Sequence, residues 1–341
     1  MELRKDPLTR SWILVGDLES GPAQPAECPY CPRPGEAGPP PIFSMPAGDW
    51  NHDQWGTRVF AHPDPLYRIE GDAQRAGVGM YDRMRTVGAH EIIIENPDHN
   101  RPLWVASDEE VERVMLTWAR RIEDLKRDPR FRYICVFKNY GAEAGEEIAH
   151  THSELTATTF IPRRLVYELR ACRDYYQMKE RCVFCDVLRQ EEKQETRLIE
   201  QTPNFLALCP FAPRVPYEFW LLPRYHHASY EGDVLRSPLV REAAGLLRRS
   251  LARLVRLTDA FHLVLHTIPN TTARLTQDAK WVTLHDDYHW HFEVLPLVPK
   301  RVKSYSIKEV YFCPLSPERA AALLREAPST AQPRDAQSDI R

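Results

Sequence analysis

The chain has 341 residues, 43% of them hydrophobic, and a formal net charge of −3. That length carries one large domain or two of ordinary size with a real core, and the balanced charge excludes a global basic field of the kind that recruits nucleic acid. No apolar run reaches the roughly 18 residues of a membrane span, and Met1-Glu2-Leu3-Arg4-Lys5 has no apolar stretch behind it, so the expectation is a soluble cytoplasmic protein without a secretory leader.

Taken in chain order, Trp12 to Val15 reads as a first strand. A Pro- and Gly-rich loop over 21–50 encloses Cys28-Pro29-Tyr30-Cys31, and 36–85 reads as irregular apart from a strand near Thr57 to Phe60. His90 to Glu95 is a β-branched strand that runs into the turn Asn96-Pro97-Asp98-His99. Ser107 to Arg127 is a helix: Ser107 and Glu110 form a capping box, and Val111, Val114, Met115, Trp118 and Ile122 recur at helical spacing. A strand over Arg132 to Lys138 leads into the polar segment Asn139 to Glu147 and then Ala149-His150-Thr151-His152-Ser153-Glu154-Leu155. Residues i and i+2 of an extended strand share a face, so His150 and His152 are expected to enter one pocket. Residues 163–181 form a helical connector.

The same parts then return in the same order. Cys182-Val183-Phe184-Cys185 answers the first C-x-x-C. Phe219 to His226 answers Ile92 to His99. A helix over Pro238 to Thr258, with Ser237 as cap, answers the first helix. Phe261 to His266 answers Arg132 to Lys138, and His289-Trp290-His291-Phe292-Glu293 answers the H-x-H motif 139 positions later. Chance does not produce so many parts in series. An internal duplication is therefore expected, with α+β halves at 1–165 and 166–326 and a polar tail at 327–341 expected to be disordered.

Each half offers a complete Cys2His2 set: Cys28, Cys31, His99 and His150, then Cys182, Cys185, His226 and His289. Four thiolate and imidazole corners suit a closed, structural zinc, two per chain, and the repetition argues against a redox role for the C-x-x-C pairs. His227 or His285 can stand in for His226 or His289. With His150 committed to metal, His152 is left free. A neutral imidazole there can attack phosphorus and form a covalent intermediate, provided its other ring nitrogen donates to a carbonyl.

Several stretches resemble the galactose-1-phosphate uridylyltransferase family of the histidine-triad superfamily: Leu3-Arg4-Lys5-Asp6-Pro7-Leu8-Thr9 with Trp12, Cys28-x-x-Cys31, Gly88 to His99, Phe137-Lys138-Asn139-Tyr140-Gly141-Ala142-x-Ala144-Gly145, His150-x-His152, Cys182 to Asp186 and His289 to Glu293. The resemblance covers about residues 1 to 326. It implies an α+β fold of duplicated histidine-triad-like halves, each an antiparallel sheet with packed helices, assembled as a homodimer. It implies ping-pong transfer of a nucleoside monophosphate from a nucleotide sugar to a sugar phosphate, in galactose and related carbohydrate metabolism. His152 matches the nucleophile, Cys28, Cys31, His99 and His150 match a metal site, and Asn139 and Gly145 match the nucleotide-phosphate loop. The second C-x-x-C set matches the zinc site of the related ADP-glucose:phosphate adenylyltransferase-like members.

The differences from the family pattern share one direction. Glu154 stands where the family has Gln, and Glu146 and Glu147 stand in the nucleotide loop where it has small or polar residues. Arginines ahead of the first C-x-x-C are missing from Gly16 to Glu27, Ala61-His62-Pro63-Asp64-Pro65-Leu66 replaces an Asn-Lys-Phe-Pro-type segment, and Tyr305-Ser306 replaces an aromatic–acidic pair. A carboxylate about 4 Å from a phosphate repels it by about 1 kcal/mol in water and about 4 kcal/mol at an effective dielectric near 20. Two alternatives follow: a diverged hydrolase, phosphorylase or other enzyme that uses His152 with Glu154 as general acid/base, or a non-catalytic zinc-stabilised binding protein.

Overall fold

A computed structural model describes residues 1–16, 28–32, 39–48, 54–273, 281–298, 305–307 and 310–330. The arginine-free stretch 17–27 and residues 331–341 of the expected tail lie outside the described residues.

The first half contains β1 (Glu2–Lys5), β2 (Trp12–Val15), β3 (Phe43–Pro46), β4 (Trp55–Ala61), β5 (Ala76–Val78), β6 (Tyr81–Arg85), β7 (Gly88–Ile94), α1 (Asp108–Leu125), β8 (Tyr133–Tyr140) and β9 (His152–Thr158). Helix α2 (Arg163–Lys179) leads to α3 (Val183–Gln194), β10 (Leu198–Gln201), β11 (Phe205–Leu208), β12 (Phe219–Pro223), α4 (Tyr230–Val234), α5 (Val240–Leu254) and β13 (Ala260–His266). The chain ends with α6 (Leu284–Asp287), β14 (His291–Leu297), β15 (Tyr305–Ile307), β16 (Val310–Phe312) and α7 (Pro317–Glu326). Among the described residues no helix is long and apolar enough to cross a membrane.

Ten strands form one antiparallel sheet in the order β10-β11-β12-β14-β13-β8-β9-β7-β4-β3. The two histidine-triad-like halves meet at the β8–β13 seam, where Phe137 faces Val264. Within its own half Phe137 pairs with Glu154, and Val264 pairs with Glu293. The seam thus pairs equivalent positions with each other, as a two-fold between duplicated halves requires. Directly paired residues share a face. His152, Glu154, His262, His266, His291 and Glu293 therefore all rise from the same side of the sheet.

Helices α1 and α5 cover the opposite side. Val111, Val114, Met115, Trp118 and Ile122 of α1 are buried with Leu246, Leu247 and Leu251 of α5 against Ile93, Leu155, Leu263 and Phe292 of the sheet. Each such side chain contributes about 1.5–3 kcal/mol on burial. The capping box at α1 forms as expected: Ser107 Oγ accepts from Glu110 N, and Glu110 accepts from Ser107 N. On the histidine side the halves differ. Leu165 and Leu169 of α2 and Phe184 and Leu188 of α3 pack on Leu206, Leu208 and Leu222 and roof the second half. Over the first half, among the described residues, lies the small cluster of Phe60, Ile92 and Ile94 with Tyr30, Trp55 and Ile148.

Three sequence expectations need correcting. The segment 36–85 is not irregular: it supplies β3 and the hairpin β5–β6, and the latter joins β1 and β2 in a separate four-stranded sheet. Ser237 does not cap α5. Its hydroxyl accepts from Leu239 N, and Leu239 is the helix N-cap, because the chain first closes a turn on Asp233. His150 precedes the strand rather than sharing it with His152. Residues 327–330 are also tied down, since Arg253 donates to Ala327 O and Arg256 to Thr330 O.

Candidate active site

The turn after β7 delivers His99 and the bend before β9 delivers His150 to the loop cysteines. Cys31 Sγ lies 3.4 Å from His99 Nδ1 and 3.6 Å from His150 Nδ1, and Cys28 Sγ lies 3.5 Å from His150 Nδ1. Tetrahedral zinc with ordinary Zn–S and Zn–N bonds sets these edges at about 3.5–3.6 Å. His150 turns its far nitrogen, Nε2, to Asn96 O at 2.8 Å, the outer-shell bond that orients a metal-bound imidazole. The donor set fits a metal.

The second set assembles the same way at the start of α3. Cys185 Sγ is 3.5 Å from His226 Nδ1 and 3.7 Å from His289 Nδ1. The far nitrogens bond to His285 O at 2.9 Å and Pro223 O at 3.0 Å. Cys182 completes the group, with all four ligand atoms within 4.8 Å of one another. A hydrogen bond from Cys182, then those of His226 and His289, hold the Cys185 thiol far below its ordinary value, as a ready thiolate. His285 contributes only its carbonyl, and His227 Nδ1 is buried with no hydrogen bond.

His152 stands apart from both sets. Its Nδ1–H donates to His150 O at 2.8 Å, which leaves the lone pair of Nε2 outward. Burial, then the Lys138 charge, hold its pKa below the ordinary value, so the ring is neutral at pH 7. Beneath it lies a buried ion pair that a sequence reading does not find. Lys138 Nζ bonds to Glu95 Oε2 at 2.9 Å and to His152 O at 2.5 Å, and Thr151 Oγ1 donates to Glu95 Oε2 at 2.7 Å. The available signal was a lysine inside the strand Val136-Phe137-Lys138 and a glutamate after Ile92-Ile93-Ile94.

Glu154 points inward along the same face. Its Oε1 is 3.9 Å from His152 Nε2, and its Oε2 accepts from His90 Nε2 at 2.8 Å. His90 Nδ1 accepts from Leu66 N at 3.2 Å, which places the His90 proton on Nε2. His62 stacks on His90 with ring centres 4.0 Å apart, and its Nδ1 accepts from Asp64 N. The segment 61–66, which departs from the family pattern, is therefore what holds Glu154. Burial alone would raise the Glu154 pKa, but the His90 bond and nearby imidazoles bring it below the usual value. It is a carboxylate at neutral pH.

The nucleotide-loop candidates occupy the end of β8 and the turn after it. Asn139 Oδ1 accepts from His262 Nδ1 at 2.8 Å across the seam. Gly145 sits at φ 77°, a left-handed conformation glycine adopts freely. Glu146 folds back onto Gly141 N at 2.8 Å, and Glu147 is exposed.

The second half carries a further cluster that sequence reasoning missed. His291 repeats the His152 arrangement, with Nδ1 3.1 Å from His289 O. It stacks on His266 at 4.5 Å, and His266 lies 3.2 Å from Glu168 and 3.5 Å from Glu293. Burial opposes charge on His266, but the two carboxylates push its pKa up to about 10. Burial lowers His291 to about 4. The H-x-H-x-E repeat was the visible signal; Glu168, from the connector helix, had none.

Comparison with known proteins places these features. Residues 67–162 match the family model described as galactose-1-phosphate uridyl transferase, N-terminal domain. An ADP-glucose phosphorylase of Arabidopsis thaliana is 27% identical over 349 residues, covering 96% of this chain and 93% of that protein. A galactose-1-phosphate uridylyltransferase of Thermotoga maritima is 30% identical over 230 residues, covering 66% of this chain and 67% of its own. Among solved structures, a uridylyltransferase superposes with TM-score 0.76 at 22% identity, covering 96% of this chain and 98% of that one. The Arabidopsis thaliana ADP-glucose phosphorylase with bound ADP-glucose superposes with TM-score 0.71 at 23% identity, covering 96% and 99%. Fold and sequence agree, and the chain belongs to the galactose-1-phosphate uridylyltransferase family.

Proposed function

We propose that the protein transfers a nucleoside monophosphate from a nucleotide sugar to a sugar phosphate through a covalent intermediate on His152. The observation that supports this most is the His152 Nδ1 bond to His150 O, with Nε2 left free as a buried, neutral nucleophile. Nε2 attacks the phosphorus next to the nucleoside, the bond to the sugar phosphate breaks, and the acceptor's phosphate oxygen then displaces His152. Lys138 and Glu95 fix the strand start that aims the ring. Asn139, Gly145, Glu146 and Glu147 line the nucleotide loop, and Glu154 borders the phosphoryl position. Zinc at Cys28, Cys31, His99 and His150, and again at Cys182, Cys185, His226 and His289, would give two per chain and hold the first C-x-x-C loop and the start of α3; closed four-ligand sites are structural. Halves divided at 165/166, a homodimer and a cytoplasmic setting complete the reading.

A second reading makes inorganic phosphate the acceptor. It is favoured by the near-full-length similarity to an ADP-glucose phosphorylase. The test is to isolate the labelled nucleotidyl-enzyme and add acceptors separately. Discharge by a sugar 1-phosphate supports the first reading, and discharge by phosphate alone supports the second. Turnover with neither acceptor, and no label, would leave neither standing.

A further inference from the structure

We propose that a cavity at the opposite end of β9 from His152 is a second small-molecule site, for a nucleoside polyphosphate. It is independent of the transfer reaction: from His152 to Thr159 the strand and its exit cover roughly 20 Å at ordinary strand rise. The cavity measures about 370 Å³, within the range of roughly 300–1,000 Å³ typical of ligand pockets. Its walls come from the β1–β2 hairpin, the start of β8, the end of β9 and one side of α2.

Five arginines line it: Arg10, Arg75, Arg132, Arg170 and Arg173, with no carboxylate among the described lining residues. Guanidinium groups do not deprotonate, so the walls carry five positive charges in a small volume. Arg173 pairs with its chain neighbour Asp174 at 3.0 Å, and its charge is also felt by Asp287. Arg132 is the decisive residue. Its Nε and Nη1 are buried and make no hydrogen bond, and burial, then the Arg75 charge, work against its own charge. Buried donors are ordinarily satisfied, and here the acceptor they lack is one the cavity has room to admit. Arg10 is held at φ 61°, a conformation that costs energy in a non-glycine residue and marks ligand clamps.

Three aromatic side chains, with Thr159, Ile161 and Val166, make up the rest of the described lining. Trp12 and Phe160 lie 6.2 Å apart and tilted, and Trp281 stands on the same cavity. Guanidinium forks bind phosphate oxygens in pairs, while tryptophan faces accept a flat ring. Together they select a ligand that carries several phosphate charges and a heteroaromatic base, rather than a bare anion.

The test is calorimetric titration of the full chain with ADP, inorganic pyrophosphate and adenosine. Wild type is compared with Arg170→Met, Arg10→Met and Arg132→Met/Arg170→Met. Arg170 and Arg10 are exposed, so their variants carry the test even if the double variant fails to fold. The expected result is two ADP-binding events per chain, one at the His152 nucleotide site that these variants leave unchanged and one that weakens by at least about tenfold in them, with catalytic turnover unchanged. Pyrophosphate should bind this site more weakly than ADP, and adenosine should not register. Superimposable ADP isotherms for wild type and variants would overturn the site, and pyrophosphate binding as tightly as ADP would overturn the assignment of a base.

Discussion

Lys138→Met removes the buried cation beneath His152, the proposed nucleophile, and tests how the site is held. Both members of the Lys138–Glu95 pair are 1% exposed. Glu95 Oε1 already lacks a hydrogen bond, and Oε2 would keep only the Thr151 hydroxyl. Stranding a buried charge in this way costs about 3–5 kcal/mol. For a chain of this size that is a fall in melting temperature of about 6–10 °C, taking about 2 °C per kcal/mol. The His152 carbonyl also loses its donor, so the start of β9 and the imidazole lose their alignment and nucleotidyl transfer should fall along with stability. Adding Glu95→Gln should recover part of the melting temperature, because no charge is then left unpaired, but it should not recover transfer. Differential scanning calorimetry and single-turnover labelling read the two effects. A Lys138→Met melting point within about 2 °C of wild type, with unchanged labelling, would refute the reasoning.

Three further outcomes follow. Glu154→Gln removes the carboxylate that the proposed reaction sets beside the phosphoryl group, so KM for a nucleotide sugar should fall by about tenfold, the equivalent of about 1.4 kcal/mol; a large loss of turnover would instead mark Glu154 as general acid/base. Cys31→Ser and Cys185→Ser should each release one zinc per chain by elemental analysis and lower stability, and an unchanged metal content would undo the ligand assignments. Lys126 donates to Glu231 at 2.7 Å and to Ile268 O at 2.8 Å, tying α1 to α4 and the end of β13. Burial alone would raise the Glu231 pKa, but Lys126 brings it below 4.5, so the pair's stabilisation is present above about pH 4.5 and fades below it. The melting-point deficit of Lys126→Met should therefore be large at neutral pH and shrink on acidification, and a deficit that grows in acid would contradict the assignment.

The parts legible in the sequence are those whose signal is local or repeated. The α1 capping box and its apolar face obey helical spacing, and both C-x-x-C pairs and both H-x-H motifs stand out because they recur. The hairpin β5–β6 had no such signal: Ala76–Val78 is exposed throughout, and Met84 alone is buried in Tyr81–Arg85. Its pairing with β1 is tertiary. The support of the histidine-bearing face was hidden for the same reason. Lys138 meets Glu95 across 43 residues, His90 meets Glu154 across 64, and Glu168 reaches His266 from a connector helix. Charged residues inside apolar strands announce that a partner exists, but only the sheet register says which one. The arginine cavity draws on five separate segments and could not be read from any of them.

The central claim is that His152, and not its second-half counterpart His291, carries the nucleotide. The direct measurement is covalent labelling with a nucleotide sugar radiolabelled at the phosphate next to the nucleoside, applied to wild type, His152→Ala and His291→Ala. The account predicts one acid-labile label per chain in wild type and in His291→Ala, and none in His152→Ala. Label retained in His152→Ala, or lost only in His291→Ala, would contradict it.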